Sequence, residues 1–173
     1  MFEEIKIVCL DVDGTLTDGV YQISDKGEIT KSFFTRDFYG IQKLLENDII
    51  VAIISQSHDK VIHEQIARIR SHSDLWSNSY EKKLFVYNCI EDKQLCVEEV
   101  MMKYNRKNNT KIWWENVAYM GDAENDIGCM ELAKLTGCPA DAIDEMEHFS
   151  NFPSDFPGGK GAVYDFCKYI LED

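Results

Sequence analysis

Short apolar runs and helix-period segments alternate along this chain. Ile5 to Leu10, Ile49 to Ile54, Leu84 to Tyr87 and Val117 to Met120 are continuous and apolar, the pattern of strands buried on both faces. Between and after them, Asp37 to Asn47, Asp59 to Arg70, Asp92 to Lys107 and Asn125 to Leu135 repeat apolar positions at helical spacing. A last helix is expected over Ala162 to Leu171, after a long loop, Asn151 to Gly161, that holds Pro153, Pro157 and three glycines. Strand, helix and strand in alternation predict βαβ units, and hence a three-layer, Rossmann-like α/β sandwich with a central parallel sheet. One stretch breaks the rhythm. Val20-Tyr21-Gln22-Ile23 and Ile29 to Phe33 flank a turn containing Gly27, which predicts a β-hairpin inserted at about residues 20–34. Residues 1–173 read as a single domain with that insert.

The chemistry lies where the strands end. Asp11-Val12-Asp13-Gly14-Thr15 follows the first run directly, and ligands of open α/β sheets bind beyond the carboxyl ends of the strands. A second acidic loop, Gly121-Asp122-Ala123-Glu124-Asn125-Asp126, follows the Val117 run. If the two strands are neighbours, Asp11, Asp13 and Asp122 converge, and carboxylates that close repel one another unless a cation lies among them. An oxygen-rich site with open positions suits Mg²⁺, completed by water and a substrate phosphate. Ser55, after the Ile49 run, offers a hydroxyl and a backbone N–H to a phosphate oxygen, and Lys93 follows the Leu84 run and offers an ammonium. Asp59 and Asp92, each the first residue of a predicted helical segment, read as helix caps.

Composition narrows the partners. The chain has 173 residues, is 45% hydrophobic and 12% aromatic, and carries a formal net charge of -13. That is enough for one real core, and a net anion is repelled by nucleic acid and by anionic membrane surfaces. No run approaches the roughly 20 apolar residues of a membrane span. Met1-Phe2-Glu3-Glu4 lacks the basic start of a signal peptide, and the cysteines Cys9, Cys89, Cys96, Cys129, Cys138 and Cys167 form no C-x-x-C pair, so reduced core thiols in a cytoplasmic protein are expected.

Together the four strand-end loops resemble the four motifs of the haloacid dehalogenase superfamily of phosphatases: Asp11-Val12-Asp13-Gly14-Thr15, Ser55, Lys93, and Gly121 to Asp126. The resemblance implies that Asp11 is the nucleophile, forming an aspartyl phosphate, and that Asp13 is the acid/base. It implies Mg²⁺ held by Asp11, Asp122 and the main-chain carbonyl of Asp13, with Asn125 and Asp126 in support. The intervals between motifs leave no room for a cap domain. Leu16-Thr17-Asp18-Gly19, Thr35-Arg36-Asp37 and Gly158-Gly159-Lys160-Gly161-Ala162-Val163 look like the capless branch acting on the sugar acids 3-deoxy-manno-octulosonate (KDO) 8-phosphate and KDN and N-acetylneuraminate (sialic acid) 9-phosphates. The same branch includes the C-terminal domain of animal CMP-sialic acid synthetases, similar at Gly137 to Ala142, so a catalytically idle oligomerisation domain is the alternative reading.

Three positions depart from the branch. Gln56-Ser57 stands for Gly-Arg, Tyr164-Asp165 for Arg-Glu, and Phe38 for Gly. Two missing arginines remove the guanidinium forks that would grip a carboxylate. Thr15, Arg36 and Lys160 are the candidate substrate contacts, with Lys31 and Lys60 as other basic residues that could stand in. The resemblance further implies a homotetramer in which the Val20 to Phe34 hairpin, too apolar for a lone ribbon, packs between subunits and a neighbour covers the open site.

Overall fold

The computed structural model describes residues 2, 4–71 and 77–172; of the N-terminal residues read above, Met1 and Glu3 lie outside them. The first strand, β1 (Ile7–Leu10), is flanked in parallel by β4 (Ile50–Ile54) and β6 (Val117–Met120), in register Cys9 to Ala52 and Cys9 to Tyr119. β5 (Leu84–Tyr87) extends the sheet beyond β4, and β7 (Leu135–Cys138) and β8 (Phe152–Pro153) extend it beyond β6. All these pairings are parallel. The expected neighbour relation between the two acidic strand ends therefore holds.

Alternation along β1 serves two cores. Val8 and Leu10 face helices α1 (Thr35–Glu46), α2 (Val61–Ser71) and α6 (Ala162–Glu172), where Leu44, Ile66 and Phe166 are buried. Ile7 and Cys9 face α3 (Lys93–Asn108), α4 (Glu124–Met130) and the short α5 (Met146–Phe149), against Val97, Met101 and Cys129. Helices on both faces of a parallel sheet, and no separate cap, make up the expected three-layer sandwich. No helix among the described residues is long and apolar enough to cross a membrane.

Four expectations need correction, the last of them the hairpin. The helical pattern over Asn125 to Leu135 spans two elements, since α4 stops at Met130 and Leu135 opens β7. β7 is Leu-Thr-Gly-Cys, a weak strand signal by itself; Gly137 is required there because a Cβ would come 2.9 Å from the Phe166 ring. The loop before α6 includes β8, a two-residue strand at the sheet edge, where proline is tolerated. Five of the six cysteines are buried, but Cys89 is exposed, in a left-handed turn at φ 58°.

The hairpin is shorter than predicted: only β2 (Gln22–Ile23) and β3 (Ile29–Thr30) pair, closed by Ser24 and a left-handed Gly27. Val20, Tyr21 and Ile23 are each more than half exposed (64%, 57% and 62%), whereas Phe33 folds back onto the core beside Phe38.

Candidate active site

The loop after β1 is built to crowd carboxylates together. Asp11 continues the β1–β6 ladder by donating its N–H to the Met120 carbonyl at 3.0 Å, and the chain then turns tightly, with Thr17 N–H donating to the Val12 carbonyl at 2.9 Å. Gly14 makes the turn at φ +97°, and a Cβ there would run into the Asp122 carboxylate. Thr15, expected at the substrate, is instead fully buried, its hydroxyl donating to Asp122 Oδ1 at 3.4 Å. From the other end of the chain, Gly159 N–H donates to the Thr15 carbonyl at 3.0 Å, so the loop before α6 buttresses this turn.

Asp11, Asp122 and Asp126 each place a carboxylate oxygen within 4.8 Å of the others. Lys93, the first residue of α3 and almost wholly buried, bridges Asp11 Oδ1 and Asp126 Oδ1, the latter at 2.7 Å. It enters at the helix start because Asp92 caps α3, accepting from Leu95 N–H at 3.0 Å, as the sequence indicated. Asp126 is the hub: Oδ1 also accepts from the buried Tyr119 hydroxyl at 2.6 Å, and Oδ2 accepts from the N–H groups of Asp122 and Ala123 at 3.1 and 3.3 Å.

Burial, resisted by Lys93 but reinforced by Asp126 and Asp122, pushes the Asp11 carboxyl well above the ordinary value. Burial and then Asp126 raise Asp122 to about 6. Burial would lower Lys93, yet Asp11 and Asp126 outweigh it and keep the ammonium charged. One lysine thus under-compensates the acidic cluster, and a divalent cation bound by its oxygens would restore the balance. A hard, oxygen-liganded ion such as Mg²⁺ fits that donor set.

The second-motif loop closes the cleft, which is lined by Asp11, Asp13, Ser55, Gln56, Ser57, Asp122, Ala123 and Asn125. Ser55 is buried there, but its N–H donates to the Tyr87 carbonyl at 2.8 Å in continuation of the sheet, so only the hydroxyl is left for a ligand. That is a correction to the sequence reading, and its cause is strand pairing. Asn125 reaches across to Gln56, 2.8 Å away, and joins the two loops.

Other expected contacts lie further out. Arg36 is exposed over the Phe34 ring at 5.9 Å, and Lys160 faces Asp18 at 3.7 Å with 57% of its side chain exposed. Lys60 is exposed. Lys31 differs: it reaches from the end of the hairpin to Asp13 Oδ1 at 2.6 Å and Asp59 Oδ2 at 2.5 Å, with only 4% of its side chain exposed. Sequence reasoning passed over Tyr119 and the pairing of Lys31 with Asp59. A tyrosine inside a strand buried on both faces needs a partner for its hydroxyl and was a usable signal. Lys31 was one of four basic candidates, and nothing local set it apart from Arg36, Lys60 and Lys160.

This sheet order, with two acidic loops and a bridging lysine at its carboxyl edge, defines a phosphatase of the haloacid dehalogenase superfamily. No protein-family model matches the chain. It is 31% identical over 169 residues to the 3-deoxy-D-manno-octulosonate 8-phosphate phosphatase KdsC of Escherichia coli K12, covering 98% of this chain and 80% of that one. The Yersinia pestis phosphatase of the same name superposes with a TM-score of 0.82 at 29% identity, covering 98% and 82%. The Moraxella catarrhalis one, solved with magnesium, phosphate and KDO, superposes at 0.83 with 25% identity, covering 98% and 87%. The chain belongs to the KDO 8-phosphate phosphatase (KdsC) family.

Proposed function

We propose that the protein is a Mg²⁺-dependent phosphomonoesterase acting through an aspartyl phosphate on a phosphorylated 2-keto-3-deoxy sugar acid, with KDO 8-phosphate the first candidate and the nine-carbon KDN and N-acetylneuraminate 9-phosphates next. The observation that carries this reading is the convergence of Asp11, Asp122 and Asp126 around Lys93, with the less buried Asp13 two residues beyond Asp11.

Asp11 attacks phosphorus as the bond to the sugar oxygen breaks, and Asp13 donates a proton to that departing oxygen. Asp13 then accepts a proton from the water that attacks the aspartyl phosphate, which releases phosphate and regenerates Asp11. The Ser55 hydroxyl holds a phosphoryl oxygen, and Lys93 offsets the charge of the nucleophile as an anion approaches it. Asp11, Asp122 and the Asp13 carbonyl would hold Mg²⁺, which would supply further charge neutralisation, with Asp126 orienting the loop. The open cleft is covered by a neighbouring subunit in a homotetramer assembled through the exposed Val20, Tyr21 and Ile23.

The test is a panel with Mg²⁺ comparing KDO 8-phosphate and the two nine-carbon acid phosphates with hexose phosphates. Higher kcat/KM for the acids is expected. Preference for neutral sugars rejects the sugar-acid assignment and leaves the phosphatase, whereas no hydrolysis of any ester rejects both. Light scattering that finds an active monomer rejects assembly-dependent closure.

A further inference from the structure

The site holds two lysines in like settings. Lys93 lies between Asp11 and Asp126, and Asp126 anchors the first turn of α4 through the N–H groups of Asp122 and Ala123. Lys31 lies between Asp13 and Asp59, and Asp59 caps α2, its Oδ1 accepting from Val61 N–H at 2.9 Å. Each of the two carboxylates expected to do the chemistry has its own cation, tied on the far side to a helix start by a second carboxylate.

Lys31 is costly to place this way. A lysine at the end of an exposed two-residue ladder would ordinarily leave its ammonium in water, and fixing its four-carbon stem gives up rotamer freedom. Here it is withdrawn from solvent onto three oxygens, with Ser57 Oγ at 3.5 Å completing the set for its three N–H donors. The receiving frame is rigid. Ser57 donates its hydroxyl to Asp59 Oδ2 at 2.5 Å and its N–H to Ser55 Oγ at 3.0 Å, and Asn88 donates to the Asp59 carbonyl at 3.2 Å.

Asp13 needs that frame. Its side chain is 36% exposed, far less confined than Asp11 at 7%, and a proton donor must stay within about 2.6–3.2 Å of the oxygen it serves. We propose that Lys31 is a positioning residue for Asp13: braced by Asp59 and Ser57, it holds Oδ1 so that Oδ2 is presented to the leaving-group oxygen. The hairpin is thereby coupled to proton transfer. The inference rests on the acid/base reading of Asp13 given above.

The test compares Lys31→Met, Lys31→Arg and Asp59→Asn with wild type on an alkyl phosphate, whose leaving oxygen needs a proton, and on 4-nitrophenyl phosphate, whose leaving group hardly does. For Lys31→Met, the single-turnover rate of alcohol or phenol release at saturating ester should fall about 10- to 100-fold on the alkyl ester and less than about 3-fold on the aryl ester, with the half-saturating ester concentration nearly unchanged. Lys31→Arg should recover a large part of the alkyl rate. Asp59→Asn keeps a good helix cap and should show the same pattern, weaker. Equal losses on both esters, or none, mean that Lys31 only pins the hairpin and overturn the proposal. If Lys31→Met does not fold, the alkyl-to-aryl ratio of Asp59→Asn decides, and an unchanged ratio rejects the role. A crystal structure of Lys31→Met, or of Asp59→Asn in that event, gives a readout independent of turnover: Asp13 displaced supports the proposal, Asp13 unmoved overturns it. Wild type inactive on both esters would instead refute the phosphatase reading.

Discussion

The Lys93 ammonium sits 2.7 Å from Asp126 Oδ1, and neither side chain has more than a trace of exposed surface. Truncating it leaves Asp11 and Asp126 buried without their cation, and breaking a buried pair in that way costs about 3–5 kcal/mol. Lys93→Met should therefore lower the urea midpoint by that equivalent in chelator, and added Mg²⁺ should recover part of it. A loss under about 1 kcal/mol in metal-free buffer would show that the cluster is already neutralised by its own protons.

Asp11→Asn should abolish turnover while the fold is retained, since the amide keeps the shape but not the nucleophilicity of the carboxylate. Asp13→Asn should cost about 10²- to 10⁴-fold on a sugar phosphate and less on an aryl phosphate. Single-turnover assays on the two esters separate the roles. Equal losses for Asp13→Asn on both count against it as the proton donor, and near wild-type turnover by Asp11→Asn means that the nucleophile is elsewhere.

Chelation should remove the activity and Mg²⁺ restore it. Ca²⁺ should inhibit, because its larger and more flexible shell accepts geometries that spoil in-line attack. Full rate in excess chelator would remove the metal from the reaction.

Asp37 supplies a pH signature away from the site. It is fully buried in α1, accepts from Tyr164 N–H at the start of α6 at 2.9 Å, and leaves Oδ2 without a partner. Burial, opposed by the backbone N–H groups of Tyr164 and Gly161, raises its carboxyl to about 6. An unfolded aspartate titrates near pH 3.9, so between about pH 4 and 6 the folded state holds a proton that the unfolded chain has released, and stability falls as pH rises. Asp37→Asn removes this term. Its stability relative to wild type should be roughly 2–3 kcal/mol more favourable at pH 7 than at pH 4, read from urea unfolding at both pH values. A gap that does not change with pH would mean that Asp37 titrates normally.

Strands β1, β4, β5 and β6 and the positions of Asp11, Asp13, Asp122 and Lys93 were legible because their signals are local: an apolar run and the polar residues right after it are adjacent in the chain. Fold class follows from the same alternation. β7 was not legible, since Leu-Thr-Gly-Cys becomes a strand through pairing with β6 and β8 and through the Phe166 ring over Gly137. The Ser55 amide was misread for a similar reason, being used by a neighbouring strand. Lys31 and Arg36 are both basic residues near the hairpin, yet one is buried between Asp13 and Asp59 and the other lies in solvent. Composition and periodicity treat the two alike. Which lysine enters the site depends on how the hairpin crosses the strand ends, a matter of contacts between residues far apart in the chain, and only tertiary packing decides those.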